Sequence, residues 1–318
     1  MKKIDGVALI TGGVGFIGSH LAHELSRHQK IVVVDRSADK KSSLTKDKAI
    51  EYISLDLGKT EELKKIIATY KPQTVHHCAG HTQLRAAIAS PHRDAKDNIL
   101  GTLSLIQSFI ELKAEVNYLP DGIIFSSTAA VYGGYDTPPF SEHFAPLPTN
   151  PYGIAKVAAE QYLRWYGHSA GVPITIFRYA NVYGSGQSTL GQAGVIASFM
   201  SSLVKEQPLK VYGDGSNTRD YIFVKDVVHA HYLAAKKHSN GTYNLGTGHP
   251  TSTLELAQLC TSLREKSELK LVNIDVEEQN NSWMNVGQVK KELEWEATTS
   301  LKDGLTQTYS WYRQQSTV

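Results

Sequence analysis

Along the first 130 residues, short apolar runs alternate with stretches in which apolar residues recur every three or four positions. Val7–Ile10, Ile31–Val34, Glu51–Leu57, Thr74–Ala79 and Gly122–Ser127 read as strands. Between them, the pattern through Leu21 and Leu25, then Thr60–Tyr70, then Pro91–Lys113 reads as helices. Thr60 is expected to cap its helix, with Glu61 and Glu62 in the first turn. Strands alternating with helices predict an α/β fold. The Pro91–Lys113 helix carries Ile99, Leu100, Leu103, Leu105, Ile106, Phe109 and Ile110, too apolar for a helix with one wet face. A later helix, 151–166, adds an edge of Leu163, Trp165 and Tyr166. Together the two predict a homodimer built on a helix bundle. Asn98 is a polar intruder that either holds a backbone group or water near a site, or caps the helix.

Composition narrows the class. The chain has 318 residues, enough for one large domain or two packed lobes, with 41% hydrophobic and 20% charged residues. A formal charge of +2 without a basic stripe argues against a nucleic-acid partner. Lys40, Lys41, Lys46 and Lys48 are broken up by Asp39 and Asp47 and read as a solvated loop. No apolar run approaches membrane-spanning length, and the first residues lack a signal-peptide pattern. Two cysteines, Cys78 and Cys260, give no disulfide framework, so the expected compartment is a reducing cytoplasm. Cys78 reads as a small buried apolar residue. His76 and His77 are neighbours in a strand and point to opposite faces, which favours packing over chelation, and no metal site is expected.

The first strand ends in Thr11-Gly12-Gly13-Val14-Gly15-Phe16-Ile17-Gly18 and a helix follows. Glycines at this spacing serve a tight turn, close approach of a pyrophosphate to the backbone, and helix-on-strand packing. The helix N-terminus then offers free N–H groups to phosphate. The second strand ends in Asp35, 17 residues past Gly18, near the spacing at which a carboxylate meets the adenosine ribose. Asp35 repels a 2′-phosphate, so NAD is expected over NADP, with Arg36 beside it pulling the other way. Asp56, at the end of the third strand, is placed to meet the adenine amino group.

Asn150-Pro151-Tyr152-Gly153-Ile154-Ala155-Lys156 opens another helix, with Pro151 at its first position. Tyr152 and Lys156 are four apart and share a face. A phenol is a poor base at neutral pH, and a neighbouring ammonium favours the phenolate. Alone, such a pair is more often an ordinary exposed one; the upstream glycine motif changes the odds. Thr128, at the C-terminal end of a central strand, lies where ligands bind in parallel sheets. A threonine hydroxyl, a tyrosine and a lysine around a nicotinamide can polarise a hydroxyl and remove its proton, which is hydride chemistry.

With these motifs the chain resembles an extended short-chain dehydrogenase/reductase. The resemblance rests on residues 11–18, Ser126–Gly133, Tyr152 with Lys156, Phe177–Gly184, Tyr212–Gly215, Arg219–Tyr221, Tyr243–Gly246 and Leu293–Trp295, in the family's order. Among its subgroups it is most similar to NAD-dependent nucleotide-sugar epimerases of UDP-glucose 4-epimerase type. The resemblance implies a doubly wound parallel sheet (Rossmann) over residues 1–181, with a segment near 220–246 returning to it. It implies a smaller C-terminal, substrate-binding lobe over 182–318. It implies NAD held by Gly12, Gly15, Phe16, Ile17, Gly18, Asp35, Asp56, Leu57, Ala79, Gly80, Asn98, Tyr152, Lys156 and Tyr179.

The implied reaction is redox-neutral. Tyr152, as phenolate, takes the sugar O4 proton while the C4 hydride passes to NAD+; the keto sugar turns over and the hydride returns to its other face. Thr128 would bond the same oxygen, Lys156 would lower the Tyr152 pKa and hold the ribose, and Asn181 and Arg219 would grip the diphosphate. Dehydratases of the superfamily carry an Asp-Glu pair after the strand-end threonine and decarboxylases a Glu at the second position, where this chain has Ala129 and Ala130. A dehydratase or decarboxylase is therefore the second expectation and a catalytically idle NAD-binding sensor the third. One departure stands out: Asp275–Asn285 lacks the second diphosphate arginine of many relatives, and Asn285 replaces an aspartate. Either Arg219 carries the diphosphate with backbone N–H groups and Asn281, which is the favoured expectation, or the substrate differs from the usual UDP-hexose.

Overall fold

The computed structural model describes residues 4, 6–37, 44, 47–189, 194–273 and 281–316. Asp39, Lys40, Lys41 and Lys46 of the expected solvated loop, and most of the arginine-free stretch before Asn281, lie outside the described residues. The chain runs β1 (Val7–Thr11), α1 (Phe16–Leu25), β2 (Lys30–Asp35), β3 (Ile50–Ser54), α2 (Thr60–Tyr70), β4 (Thr74–His77), α3 (Leu84–Ala89), α4 (Pro91–Ala95), α5 (Gly101–Val116) and β5 (Gly122–Thr128). It continues with α6 (Pro151–Ala170), β6 (Ile174–Tyr179), β7 (Asn181–Tyr183), α7 (Val195–Val204), β8 (Leu209–Tyr212), β9 (Thr218–Phe223), α8 (Val224–Lys237) and β10 (Gly241–Leu245). Last come β11 (Pro250–Ser252), α9 (Thr253–Thr261), β12 (Leu269–Val272), β13 (Asn281–Ser282), α10 (Gly287–Leu293) and α11 (Leu301–Gln315).

Seven strands form one parallel sheet in the order β10-β6-β5-β4-β1-β2-β3. The order reverses between β1 and β4, and open sheets of this kind bind ligands at such a reversal. Alternation along the strands builds the layers. Leu9, Val32, Val34 and Val75 pack on one side with Leu63 and Ile67 of α2, Leu105 and Phe109 of α5 and Leu163 of α6. Ala8, Ile10, Ile31 and Val33 pack on the other with Leu21 and Leu25 of α1 and with Val228 and Tyr232 of α8. Both faces are covered, which is why these strands read as continuous apolar runs.

Contacts divide the chain into two compact units. The first comprises Met1–Val131, Pro146–Arg178 and Val228–Tyr243; the second comprises Tyr132–Ala145, Tyr179–Val227 and Asn244–Val318. In the second, α7, α9 and α11 enclose a core of Ile196, Phe199, Met200, Leu256, Cys260 and Leu305 against Leu209 and Val211 of β8 and Tyr221 and Phe223 of β9. There β9 pairs in parallel with β7 and β13 and antiparallel with β11.

Several local expectations need correction. Thr60 does not cap α2: Lys59 occupies the cap position without a side-chain bond, and Thr60 is the first helical residue. The Pro91–Lys113 helix runs on to Val116 and widens into a π turn at Lys96–Leu100. On α6, Leu163 and Tyr166 face inward and are buried. The outward apolar residues of that helix are Ile154, Tyr162 and Trp165. Among the described residues no helix is long and apolar enough to cross a membrane.

Candidate active site

The loop after β1 owes its shape to glycine. Gly12 sits at φ +70°, and a Cβ there would fall 2.6 Å from the Ala79 amide nitrogen, across the β1–β4 reversal. A Cβ on Gly18 would run into the Gly12 carbonyl, so helix α1 packs directly on the turn. Gly15 caps α1 without a side-chain bond. The first N–H groups of α1, on Phe16, Ile17 and Gly18, have no partner further back in the helix and suit an anion.

A cleft lies over this turn, lined by Gly12, Gly15, Asp35, Asp56, Leu57, Ala79 and Gly80 of the expected cofactor residues. The Asp35 carboxylate is held in place by the Val14 N–H at 3.2 Å and the Ser37 N–H at 2.9 Å. Asp56 accepts from the Gly58 N–H at 2.9 Å, which fixes its carboxylate at the cleft wall. Cys78 also lines the cleft and is half-buried, with Sγ accepting from Ser126 Oγ at 3.2 Å; it is no plain core residue. Burial pushes its thiol up to about 11, so it is a poor nucleophile.

At the cleft's inner end stands Gly80, where a Cβ would collide with Asn98 Oδ1 and lie 3.3 Å from Lys156 Nζ. Asn98 is buried on the π turn, and its Nδ2 donates to the His81 carbonyl and to Asp94 Oδ1, each at 3.0 Å. That selects the first of its two expected roles, holding backbone near the site. Asn98 Oδ1 and Asp94 Oδ2 are buried with no protein partner. A narrow space that only glycine leaves open, ending on an unpaired buried acceptor, fits a polar ligand rather than an apolar one. The turn, the Asp35 carboxylate and this end together fit a dinucleotide.

Tyr152 and Lys156 sit one turn apart on α6, whose start is fixed by Asn150 Oδ1 accepting from the Gly153 N–H at 2.9 Å. Thr128 is a hydrogen-bonding neighbour of the Tyr152 hydroxyl that favours the phenolate. Thr128 Oγ1 accepts from the Ala130 N–H at 3.2 Å, which leaves its own proton to donate. Burial raises Tyr152 to about 12; the Thr128 bond opposes the rise and the Asp94 charge adds to it. Lys156 is itself buried, with Nζ donating to the Ser126 carbonyl at 3.0 Å and lying 4.7 Å over the Phe125 ring. Burial lowers it to about 8, against the pull of Cys78, Asp94 and Glu160.

Four groups that the sequence did not single out surround the pair. Glu160, fully buried, accepts from Ser127 Oγ at 2.5 Å, from Arg178 Nε at 3.0 Å and Nη2 at 2.7 Å, and from Arg164 at 3.2 Å. It stands four residues after Lys156, so helical spacing alone contained the signal. Asp94 likewise stands four before Asn98, whereas His81 and Arg178 gave no local signal. His76 and His77 do point to opposite faces: His76 meets His231 at 3.0 Å, and His77 meets Thr11 at 2.7 Å and Thr102 at 2.9 Å.

Tyr179, Asn181 and Arg219 belong to the second unit. Tyr179 is buried at the end of β6, and Asn181 is exposed at the start of β7. Arg219, on β9, donates through Nη1 to the Thr218 carbonyl at 2.8 Å. Asn281 Oδ1 accepts from Thr218 Oγ1 at 2.8 Å, and Asn285 Oδ1 from the Gly287 N–H at 2.9 Å. Neighbouring Asp220 is buried and takes Thr247 N–H at 2.8 Å and Gly248 N–H at 3.0 Å, which ties the loop after β10 to β9.

Residues 8–246 match the family model described as the NAD dependent epimerase/dehydratase family. The UDP-glucose 4-epimerase of Mycolicibacterium smegmatis is 31% identical over 316 residues, 97% of this chain and 99% of that one. The crystal structure of UDP-glucose 4-epimerase with UDP-glucose from Thermotoga maritima superposes with a TM-score of 0.89 at 33% identity, covering 97% of this chain and 99% of that one. The UDP-N-acetylglucosamine 4-epimerase of Methanobrevibacter ruminantium, in complex with UDP-N-acetylmuramic acid, gives 0.90 at 27%, covering 99% and 100%. With the glycine turn, the cleft and the tyrosine–lysine helix in the order that such a match requires, the chain belongs to the NAD dependent epimerase/dehydratase family.

Proposed function

We propose that this chain is an NAD-dependent nucleotide-sugar epimerase that inverts the C4 centre of a UDP-hexose of the UDP-glucose/UDP-galactose type. One observation carries the reading: Tyr152, one turn from buried Lys156 and with Thr128 as a neighbour, stands in the unit that holds the dinucleotide cleft. The substrates named for the similar proteins support the sugar. When bound, NAD+ would supply a reversible hydride acceptor and a positive charge. Tyr152 takes the O4 proton and later returns it, so the reaction is neutral in protons as well as electrons. Thr128 donates to the oxygen that is losing its proton. Lys156, with its ammonium directed by the Ser126 carbonyl, holds the ribose, and Asn98 and Gly80 shape the space beside it. Phe16, Ile17 and Gly18 offer N–H groups to the pyrophosphate, Asp35 meets the ribose hydroxyls, and Asp56 meets the adenine amino group. Tyr179 completes the cofactor set.

Arg219 and Asn181 are the proposed holders of the sugar's diphosphate, supported by the arginine's place in the intact Arg219-Asp220-Tyr221 run. Ala129 and Ala130 follow Thr128, and an alanine side chain can neither give nor take a proton, which favours epimerisation over loss of water or carbon dioxide. Incubating the protein with a panel of UDP- and GDP-sugars and following the products by NMR tests the reading. Interconversion of C4 epimers is expected, with a KM that rises at least ~10-fold in Arg219→Ala, the scale of one lost charge-assisted bond. A 4-keto-6-deoxy product, or an unchanged KM in that variant, contradicts it.

The outward apolar residues Leu100 and Ile110, beside Ile154, Tyr162 and Trp165 of α6, support a homodimer through these helices. Light scattering should then give about twice the 35.0 kDa chain mass, and a 35.0 kDa species contradicts it. Two cysteines outside any disulfide support a reducing cytoplasm, which cell fractionation checks.

A further inference from the structure

We propose that Asp97 is a specificity-determining residue for the cofactor: its ion pair with Arg36 withholds the guanidinium from the adenosine end of the cleft and so preserves the choice of NAD over the 2′-phosphorylated form. The inference rests on the family's cofactor and is independent of which sugar is turned over.

The end of β2 presents two residues with opposite demands. Asp35 closes the strand with a carboxylate fixed by two backbone N–H groups. Arg36 follows it, and an arginine in this neighbourhood is the group that accommodates a 2′-phosphate in dinucleotide folds. Both residues line the cleft, as do Asp56, Lys96 and Asp97. Left free, Arg36 would offset the repulsion that Asp35 exerts on a phosphate.

The geometry removes that freedom. Arg36 Nη1 donates to Asp97 Oδ1 and Nη2 to Asp97 Oδ2, each at 2.9 Å. Fork meets fork, so one N–H of each terminal nitrogen, the end-on pair that would clasp a phosphate, is taken and the guanidinium is held against Asp97. The Asp97 side chain is only 10% exposed against 48% for Arg36, so the carboxylate is the fixed partner and the guanidinium is the one drawn across. Asp97 reaches this position on the widened turn Lys96–Leu100, directly before Asn98. The lining carries three carboxylates, Asp35, Asp56 and Asp97, against two cations, Arg36 and Lys96. A phosphate bringing nearly two further negative charges meets a wall of the wrong sign.

The test is competition for the full-length protein. Wild type, Asp97→Asn, Arg36→Ala and the double variant are each equilibrated with equal NAD+ and NADP+, passed through gel filtration, and the nucleotides that stay bound are separated and counted. Wild type should retain NAD+ almost alone. In Asp97→Asn the ratio of NADP+ to NAD+ should rise about tenfold, the size of one charge-assisted bond. The double variant should fall back to the wild-type ratio, and Arg36→Ala should show no rise. A ratio in Asp97→Asn within about twofold of wild type overturns the proposal. So does an equal rise in the double variant, which would assign the effect to the lost Asp97 charge alone. Loss of both nucleotides from Asp97→Asn also overturns it, since Asp97 would then be a support of the turn.

Discussion

Burial moves Tyr152 and Lys156 in opposite senses, the phenol up to about 12 and the ammonium down to about 8, so both are drawn toward their neutral forms. Thr128 is the group that opposes this at Tyr152, as a hydrogen-bonding neighbour that favours the phenolate. If Tyr152 is the base, Tyr152→Phe should fold, keep its NAD and lose at least ~10²-fold in turnover, because only the proton acceptor is removed. Turnover near wild type in that variant would remove Tyr152 from the role. The spacing of Tyr152 and Lys156 was legible in the sequence because a helix fixes it. The sign of the tyrosine shift was not. It depends on enclosure by elements far along the chain and on Asp94, a carboxylate 58 positions upstream that only the fold brings near.

At the scale of the element, α6 does more than carry two side chains. Its fully buried Glu160 ties Ser127, next to Thr128, to Arg178 of β6 and so fixes the helix against two strands. Removing one partner of a buried ion pair strands the other without compensation. Glu160→Ala should therefore cost about 3–5 kcal/mol in urea unfolding, whereas Asn150→Ala, which removes only the cap, should cost about 1 kcal/mol. Equal losses for the two would mean that the Glu160 network contributes little beyond an ordinary surface bond. The strands were legible because two covered faces leave continuous apolar runs. The caps and faces of helices were less so. Thr60 has the composition of a cap but lies one residue inside α2, and Leu163, Trp165 and Tyr166 look like one edge until the fold buries the first and last of them.

For the whole molecule, three buried histidines set the response to acid. His76 and His77 are lowered to about 3, the first by burial and the second by burial and the Lys156 charge, and His231 is lowered well below its ordinary value by burial beside His76. Unfolded, each titrates near ~6.5. Between these limits the unfolded chain binds protons that the folded one refuses. Stability is therefore full above about 6.5 and falls as pH drops from there toward 3, with a slope of up to about 1.4 kcal/mol per pH unit for one such histidine, and His231 adds in the same sense. The urea midpoint should drop clearly between pH 7 and pH 5, above the range where most carboxylates titrate. A midpoint that stays level over that interval would contradict the buried neutral histidines. Adjacent His76 and His77 were correctly read as packing residues, but His231, 155 positions from its partner, had no local signature.

The central claim, transient oxidation at C4 with hydride returned to the other face, is tested most directly by isotope. UDP-glucose deuterated at C4 is incubated with the protein, and the UDP-galactose formed is examined by NMR and mass spectrometry. The epimer should keep its deuterium at C4, because the hydride never leaves the site, and no label should reach solvent. Loss of the deuterium to water during epimerisation, or no C4 epimer from this or any other nucleotide sugar, would contradict it.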